Sequence, residues 1–217
     1  MPSKTIIIAE AGVNHNGDIA LAKDLIDVAS EAGADLVKFQ SFKAGELSTS
    51  HAKKAEYQIA AGQTKETQQQ MLQRYELTEE MHHEIISHCK KRKIQFFSTA
   101  FDLPSLEFLI SIGQEIFKVP SGEITNLPLL RYLGSLRGKI VLSSGMAKLS
   151  EVEAAIEIIE KAGTPRSEIT LLHCTTEYPT PMAAVNLNVL QTMKRAFGVQ
   201  IGLSDHTEGI EVSIGAV

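Results

Sequence analysis

Residues 116–123 read Ile-Phe-Lys-Val-Pro-Ser-Gly-Glu, a short apolar run that contains one lysine and is followed at once by polar residues. A run of this kind predicts a strand of a parallel sheet, because such strands are buried on both faces. Lys118 lies inside the run, and Ser121 and Glu123 follow its carboxyl end. The next run along the chain, residues 139–143, ends in the same way and leads into two serines. Both stretches therefore predict buried strands with polar side chains at their carboxyl ends.

Seven apolar runs of this type recur along the chain, and a segment with helical periodicity follows each of them. Apolar residues at helical spacing follow Asp18 and Thr78, which predicts that helices begin after these two residues. The stretch from Ser150 to Glu153 matches a capping box and predicts the start of another helix. The predicted strands are residues 5–9, 35–39, 94–98, 116–119, 139–143, 169–173 and 199–203.

Alternating strands and helices predict an α/β fold with a parallel sheet, either doubly wound or closed into a barrel. Two features favour the barrel. No glycine-rich dinucleotide loop follows the first strand, and polar residues end nearly every strand, as they do around the mouth of a barrel. We therefore predict a TIM (β/α)8 barrel with about seven βα units in residues 1–217. Since such a barrel takes about 250 residues, we expect its carboxyl-terminal part to be incomplete here.

The segment from Ser41 to Tyr75 is long for a connection between a strand and a helix, which usually takes about 2–6 residues. It is polar, and it contains adjacent lysines and three consecutive glutamines. Loops of this length often close over a site, so we expect a lid over the carboxyl ends of the strands.

Composition excludes several classes of protein. The net charge is −5 and the sequence pI is about 5.8, so nothing indicates a nucleic-acid or anionic-membrane partner. No apolar run approaches the roughly 18 residues that span a membrane, and the first run is too short for a signal peptide. Cys89 and Cys174 do not form a disulfide framework and are expected to be reduced thiols. These features predict a cytoplasmic protein.

The predicted strand ends carry the side chains that bind anions and move protons. Lysines supply compact positive charge and hydroxyls supply neutral donors, which together suit a phosphate or carboxylate ligand. Carboxylates can act as acid or base, and neutral imidazole can bind a metal. Charged and hydroxyl groups at so many strand ends would be a poor way to build a core. The residues in question are Glu10, Asn14, His15, Lys38, Gln40, Ser98, Thr99, Lys118, Ser121, Glu123, Ser143, Ser144, His173, Thr175, Thr176, Tyr178, Ser204, Asp205 and His206.

Three histidines on the predicted helix after Thr78 are a weaker signal. His83, Glu84 and His88 resemble a zinc-protease motif, but the second histidine comes five positions after the first instead of four. The imidazoles would then point in different directions around the helix. His82, His83 and His88 are therefore interpreted as solvated helix residues.

Several of these stretches together resemble the N-acetylneuraminate (sialic acid) synthase family, which includes legionaminic acid synthases. The matching stretches occur in the family's order and span nearly all of the 217 residues. They are IAEAGVNHNG (residues 8–17), VKFQ (37–40), FST (97–99), FKVPSGE (117–123), LSSGM (142–146), LHCT (172–175), YP (178–179) and GLSDHT (202–207).

The resemblance implies a condensation of phosphoenolpyruvate with an N-acylated mannosamine-like sugar, dependent on Mn²⁺ or Mg²⁺. It implies that phosphate is released, and that Glu10 is a catalytic carboxylate and His206 one of two histidine ligands of the metal. Gln40, Glu123 and Tyr178 would lie along the sugar, with Glu123 as a second catalytic carboxylate. The residues implied to hold phosphoenolpyruvate are Lys38, Thr99, Lys118, Ser121, Ser143 and Ser204.

The family also implies a homodimer and a carboxyl-terminal antifreeze-like domain, which is absent from these 217 residues, as are the eighth strand and the second metal ligand. Thr176 stands where family members often carry asparagine. The motifs do not distinguish N-acetylmannosamine from 2,4-diacetamido-2,4,6-trideoxymannose as the acceptor. Two other functions stay open at this point: an aldolase that forms a Schiff base on Lys38 or Lys118, and a non-catalytic barrel that binds a sugar or phosphate.

Overall fold

A computed structural model describes residues 4–48 and 67–217 of the chain. Within these ranges it has seven β-strands, and every strand pair is parallel. The chain divides into two compact units, Met1–Gln114 and Glu115–Val217, and each unit has its own sheet. The α/β class with parallel sheets is therefore confirmed.

The first unit has a three-stranded sheet in sequence order. Its strands are β1 (Ile8–Gly12), β2 (Leu36–Ser41) and β3 (Gln95–Ala100). Its helices are α1 (Ile19–Glu31), α2 (Ala44–Leu47), α3 (Gln68–Tyr75), α4 (Glu79–Arg92) and α5 (Leu103–Ser111).

Helices α1 and α4 begin where the sequence predicts. The Asp18 carboxylate accepts a hydrogen bond from the Ala20 amide, and the Thr78 hydroxyl accepts one from the Met81 amide. Each bond satisfies a backbone donor that the helix itself leaves free. The apolar faces of these helices pack into the buried cluster that contains Val37 of β2.

The second unit has a four-stranded sheet, also in sequence order. Its strands are β4 (Ile116–Val119), β5 (Lys139–Ser143), β6 (Ile169–Cys174) and β7 (Gln200–Ser204). Its helices are α6 (Leu127–Ser135), α7 (Leu149–Ala162), α8 (Asn188–Phe197) and α9 (Glu211–Ala216). Leu142 of β5 and Ile156 of α7 are fully buried in this unit.

Two of the predicted starts differ from the structure because a side-chain carboxylate accepts a nearby backbone amide proton. The first strand begins at Ile8 instead of residue 5, because the Asp35 carboxylate accepts the Ile7 amide proton and removes that donor from strand pairing. Helix α7 begins at Leu149, and the predicted cap Ser150 lies inside its first turn. The Glu151 carboxylate accepts instead from the Lys148 amide at 2.7 Å.

The predicted lid is only partly described. Helices α2 and α3 lie within the segment expected to be a loop, while residues 49–66 lie outside the described ranges. In residues 4–48 and 67–217 no helix is long and apolar enough to cross a membrane.

Helix α6 approaches α7 closely at Gly134. A Cβ at this position would lie 2.6 Å from the Ile159 carbonyl oxygen and 2.7 Å from the Ala162 Cβ. We expect Gly134→Ala to lower the free energy of unfolding, because overpacking costs about 1–3 kcal/mol and better helix propensity offsets at most about 1 kcal/mol. Chemical denaturation measures the change. Gly122→Ala is the control, since nothing lies within 4 Å of its added Cβ; equal stability of both variants would contradict the prediction.

Candidate functional site

Strands β1, β2 and β3 bring three of the predicted site residues together in the first unit. Lys38 is paired with Glu10, and its Nζ lies 2.5 Å from the Glu10 Oε2. The same Nζ donates to the Thr99 hydroxyl at 3.5 Å. Gln40 is paired with Thr99, on the same face as Lys38 because strand residues alternate. The Lys38 side chain is 14% exposed and that of Glu10 is 50% exposed, so the carboxylate faces solvent and the ammonium does not.

A bulge in β1 lies directly after Glu10. Its pairing with β2 shifts between Glu10 and Gly12, and Gly12 has a φ of 55°. A Cβ at Gly12 would lie 3.0 Å from the Glu10 Oε1. Glycine is therefore required here both by the backbone conformation and by the space that the carboxylate occupies.

A second cluster lies at the carboxyl ends of β4 and β5. The Lys118 Nζ donates to the Ser143 hydroxyl at 2.6 Å and to the Val119 carbonyl oxygen at 2.8 Å. Ser121 begins the short 3-10 turn Ser121–Glu123 after β4. The Glu123 carboxylate accepts from the Asn126 side-chain amide at 2.6 Å, at the cap of helix α6.

A third cluster forms around His206 after β7. The His206 Nε2 lies 3.2 Å from the Ser204 hydroxyl, and the Tyr178 ring centroid lies 4.4 Å from that of the imidazole. The His206 Nδ1 lies 2.8 Å from the Thr175 carbonyl oxygen, which can only accept, so Nδ1 carries a proton. The lone pair of neutral imidazole is then on Nε2. A carbonyl that fixes the tautomer in this way is the usual support of a metal-binding histidine.

The other acidic and imidazole groups nearby are placed differently. Asp205 accepts from Thr207 and Ser213. Burial tends to raise the pKa of Asp205, but these hydrogen bonds outweigh it and lower the pKa below its ordinary value. For His173, in contrast, burial lowers the pKa. His173 is paired with Leu203, so it lies on the face of the sheet opposite Ser204. In residues 4–48 and 67–217 no three His, Cys, Asp or Glu side chains are grouped to hold a metal.

The first two clusters share one chemical property. Lys38 and Lys118 each lie beside a hydroxyl at the carboxyl end of a parallel strand. A charged donor with a neutral donor next to it fits one oxyanion group of a ligand. Each unit therefore carries, within its own sheet, the elements of an anion-binding site.

A buried polar chain in the first unit shows that the interpretation of His82 as solvated is wrong. Its Nδ1 lies 2.7 Å from the Thr78 carbonyl oxygen and its Nε2 lies 2.7 Å from the Ser41 hydroxyl. Ser41 in turn lies 2.7 Å from the Ser98 hydroxyl. Burial is the largest influence on the pKa of His82 and lowers it.

Two other histidines of this unit also have defined surroundings. The His88 Nε2 lies 2.6 Å from the Asp27 carboxylate, so the solvated interpretation fails for His88 as well, while His83 is exposed. His15 is fully buried, its Nδ1 accepts from the Gly17 amide, and its Nε2 has no hydrogen-bond partner. Burial, followed by the nearby His82, lowers the pKa of His15.

Comparison with known proteins identifies similar chains. The NeuB family model matches residues 25–217. The chain is 55% identical over 214 residues to the N,N'-diacetyllegionaminic acid synthase of Campylobacter jejuni, covering 99% of this chain and 64% of that protein. It is 46% identical over 213 residues to the enzyme of the same name from Legionella pneumophila, covering 97% and 60%. The chain thus spans less than two thirds of either relative.

A solved structure of a similar protein has a similar fold. The N-acetylneuraminic acid (sialic acid) synthetase of Leptospira borgpetersenii, crystallised with citrate, superposes with a TM-score of 0.82 at 34% identity. The match covers 98% of this chain and 69% of that structure.

The depressed pKa of His82 predicts a pH-dependent contribution to stability. The unfolded imidazole binds a proton near its ordinary pKa of about 6.5, while the folded one stays neutral to lower pH. The stability that His82 contributes is therefore present above that pH and is lost as the pH falls towards the folded value. We expect His82→Leu to lose about 1–3 kcal/mol at neutral pH, because Ser41 and Thr78 lose a partner.

The difference in unfolding free energy between wild type and His82→Leu should then narrow as the pH falls from about 7 to 5. Denaturant titrations at several pH values measure it. A difference that stays constant over this range would show that His82 is not held neutral by the fold.

Proposed function

The chain belongs to the NeuB family, and we propose that it contributes the catalytic part of a synthase that condenses phosphoenolpyruvate with an N-acylated mannosamine-like sugar and releases phosphate. The observation that carries this proposal is the pairing of lysine with hydroxyl at the carboxyl ends of β2–β3 and β4–β5. Phosphoenolpyruvate has a phosphate and a carboxylate, and a charged donor beside a neutral donor suits either group.

We also propose the finer features of the fold. Two parallel sheets of three and four strands, each in sequence order and with helices after the strands, are compatible with the connectivity of a (β/α)8 barrel, which would make residues 1–217 part of one barrel domain. A homodimer and an antifreeze-like domain in the complete protein rest on the family resemblance alone. A cytoplasmic location rests on the use of phosphoenolpyruvate.

The anion-binding roles follow from the chemistry of each cluster. Lys38 with Thr99, and Lys118 with Ser143, would each bind oxygens of phosphoenolpyruvate. Ser121 and Ser204, which follow β4 and end β7, would add hydroxyl donors. Gln40, Glu123 and Tyr178 would contact the sugar; Tyr178 is 63% exposed, and its ring packs against the His206 imidazole.

In the proposed reaction, C3 of phosphoenolpyruvate forms a bond to the aldehyde carbon of the open-chain sugar. The aldehyde oxygen takes up a proton and becomes a hydroxyl, while water adds at C2 and loses one proton. The bond between C2 and the phosphate oxygen then breaks as the new C2 hydroxyl becomes the ketone, and its proton leaves with phosphate. The Glu10 carboxylate, half exposed beside Lys38, would accept the proton that the attacking water loses. Lysines and hydroxyls would stabilise the charge on the departing phosphate.

A divalent metal, Mn²⁺ or Mg²⁺, would polarise the aldehyde oxygen or activate the water when bound. His206 fits this role because Thr175 holds the proton on Nδ1 and leaves the Nε2 lone pair for a ligand. The Ser204 hydroxyl donates to this lone pair in the structure, so a metal at Nε2 would displace that hydrogen bond.

We propose that the acceptor is 2,4-diacetamido-2,4,6-trideoxymannose. This preference rests on the identities of 55% and 46% to two proteins named N,N'-diacetyllegionaminic acid synthase, against 34% to the solved N-acetylneuraminic acid synthetase. N-acetylmannosamine differs from that sugar at C4 and C6, and it is the alternative acceptor.

The surroundings of both lysines weigh against a Schiff-base aldolase. A lysine nucleophile must be a neutral amine, usually in an apolar pocket. Lys38 lies 2.5 Å from a carboxylate, and Lys118 donates to a hydroxyl and to a carbonyl oxygen. Borohydride should therefore trap no substrate adduct on either residue.

Phosphate release tests the proposed function directly. The full-length protein, supplied with phosphoenolpyruvate and Mn²⁺, should release phosphate faster with the diacetamido-trideoxy sugar than with N-acetylmannosamine. Faster release with N-acetylmannosamine would reassign the acceptor. No release with either sugar, while phosphoenolpyruvate demonstrably binds, would remove the support for the synthase.

The role of Lys118 has a matched control in the same sheet. Lys118→Met should lower kcat/KM for phosphoenolpyruvate by about 10²–10³-fold, because a charged donor to the developing anion is lost. Lys139→Met changes the exposed residue at the amino end of β5 and should leave kcat/KM near the wild-type value. Steady-state kinetics of both variants measure kcat/KM. Similar losses of kcat/KM in the two variants would show that removing any positive charge has this effect, and would contradict a specific role for Lys118.

A further inference from the structure

The turn that follows β5 is hydrogen-bonded to a cysteine of β6. In this turn (residues 143–147), the Ser144 amide and hydroxyl both donate to the Leu172 carbonyl oxygen, at 3.0 and 2.9 Å. The next amide, that of Gly145, donates to the Cys174 Sγ at 3.1 Å. Cys174 is only 8% exposed. The turn therefore has two anchors on β6, one to a backbone oxygen and one to a sulfur atom.

Gly145 has almost no free space around it. A Cβ at this position would lie 2.7 Å from the Thr176 Cγ2, 2.9 Å from the Cys174 Sγ and 3.1 Å from the Ser121 hydroxyl oxygen. Real Cβ atoms do not approach other atoms as closely as the first two of these distances, so the packing here requires glycine. The Gly145 backbone thus lies against side chains from the ends of both β4 and β6.

The residues around this point are the proposed ligands of the anionic substrate. Ser143 begins the turn and contacts Lys118, and Ser121 lies against Gly145 from the other side. Cys174 is paired with Ser204 and shares its face of the sheet. The Cys174 thiol consequently contacts the turn between Ser143 and Gly145, and both the thiol and the Ser121 hydroxyl lie against Gly145.

We propose that Cys174 is a positioning residue: its sulfur holds the Gly145 amide and so fixes the spacing of the Ser121 and Ser143 hydroxyls that bind phosphoenolpyruvate. This inference rests on the proposed function. The thiol touches neither substrate nor reacting atoms in this role. It acts through the turn, so its loss should weaken the binding of phosphoenolpyruvate and leave the sugar unaffected.

The identity of the side chain matters because few side chains can replace sulfur here. Alanine removes the acceptor and leaves the Gly145 amide buried without a partner. Serine keeps an acceptor on a shorter side chain, but it brings a hydroxyl proton that also needs a partner in a buried place. We therefore expect an order of effect in which Cys174→Ala is worse than Cys174→Ser and both are worse than wild type.

The test compares Cys174→Ala, Cys174→Ser and Cys89→Ala in the full-length protein. Cys89 is the control because it is also a buried cysteine, 1% exposed, but lies in helix α4 of the first unit. Hydrogen exchange of the Gly145 amide is the first measurement, and it needs no substrate. We expect exchange at least about tenfold faster in Cys174→Ala than in wild type, with Cys89→Ala unchanged.

The second measurement is the dissociation constant for phosphoenolpyruvate by calorimetry, together with KM for each substrate. In Cys174→Ala the dissociation constant should rise about three- to tenfold, KM for the sugar should stay constant, and Cys174→Ser should recover part of the loss. Unchanged Gly145 exchange in Cys174→Ala would overturn the inference, as would an equal loss of phosphoenolpyruvate affinity in Cys89→Ala.

The outcomes also separate this inference from the proposed function. If the wild-type protein binds no phosphoenolpyruvate, the proposed function and the substrate role of Cys174 both fail, while the exchange data still show whether the thiol holds the turn. If wild type binds phosphoenolpyruvate and only the Cys174 variants lose affinity, both are supported.

Discussion

Burial of the strands on both faces is the constraint on which the rest of this structure depends. A parallel strand that is covered on both sides has room for polar groups only near its end, where the chain emerges from the sheet. Lys38 and Lys118 are the informative exceptions, since each lies inside a strand and each reaches partners at the carboxyl end. Charged groups are thereby kept to the ends of the strands, and those at the carboxyl ends form the clusters described above.

The same constraint explains what the sequence predicts well. Apolar runs bounded by polar residues predict β4 and β5 to the residue, and the helix starts at Asp18 and Thr78 follow from a side chain that can accept a backbone amide proton. Residue types at strand ends likewise predict which side chains belong to a site. All of these are properties of a short stretch read alone.

Features that depend on distant side chains could not be predicted in this way. The start of β1 is set by the carboxylate of Asp35, which is far along the chain from Ile7. His82 lies on the buried face of α4 together with Ile85 and Cys89, which come three and seven positions later. Because histidine is polar, the sequence alone predicts that His82 is exposed to solvent. Its burial is tolerable because both ring nitrogens find partners, and one of them, Ser41, is supplied by another strand. The contact between Glu10 and Lys38 depends in the same way on the register of β1 against β2, which no local pattern predicts.

The ion pair of Glu10 with Lys38 has a consequence for selectivity among anions. Because the ammonium already has a carboxylate beside it, an incoming anion must compete with a tethered counter-ion that is always present at high local concentration. The gain on binding is then a difference between two ion pairs and not the full value of one. A singly charged ion such as chloride gains little from that exchange, whereas a group with two charges and several acceptor oxygens gains more. If Lys38 binds phosphoenolpyruvate as proposed, the ion pair would therefore favour multiply charged ligands over singly charged ones, in a chain whose net charge of −5 already repels anions in general.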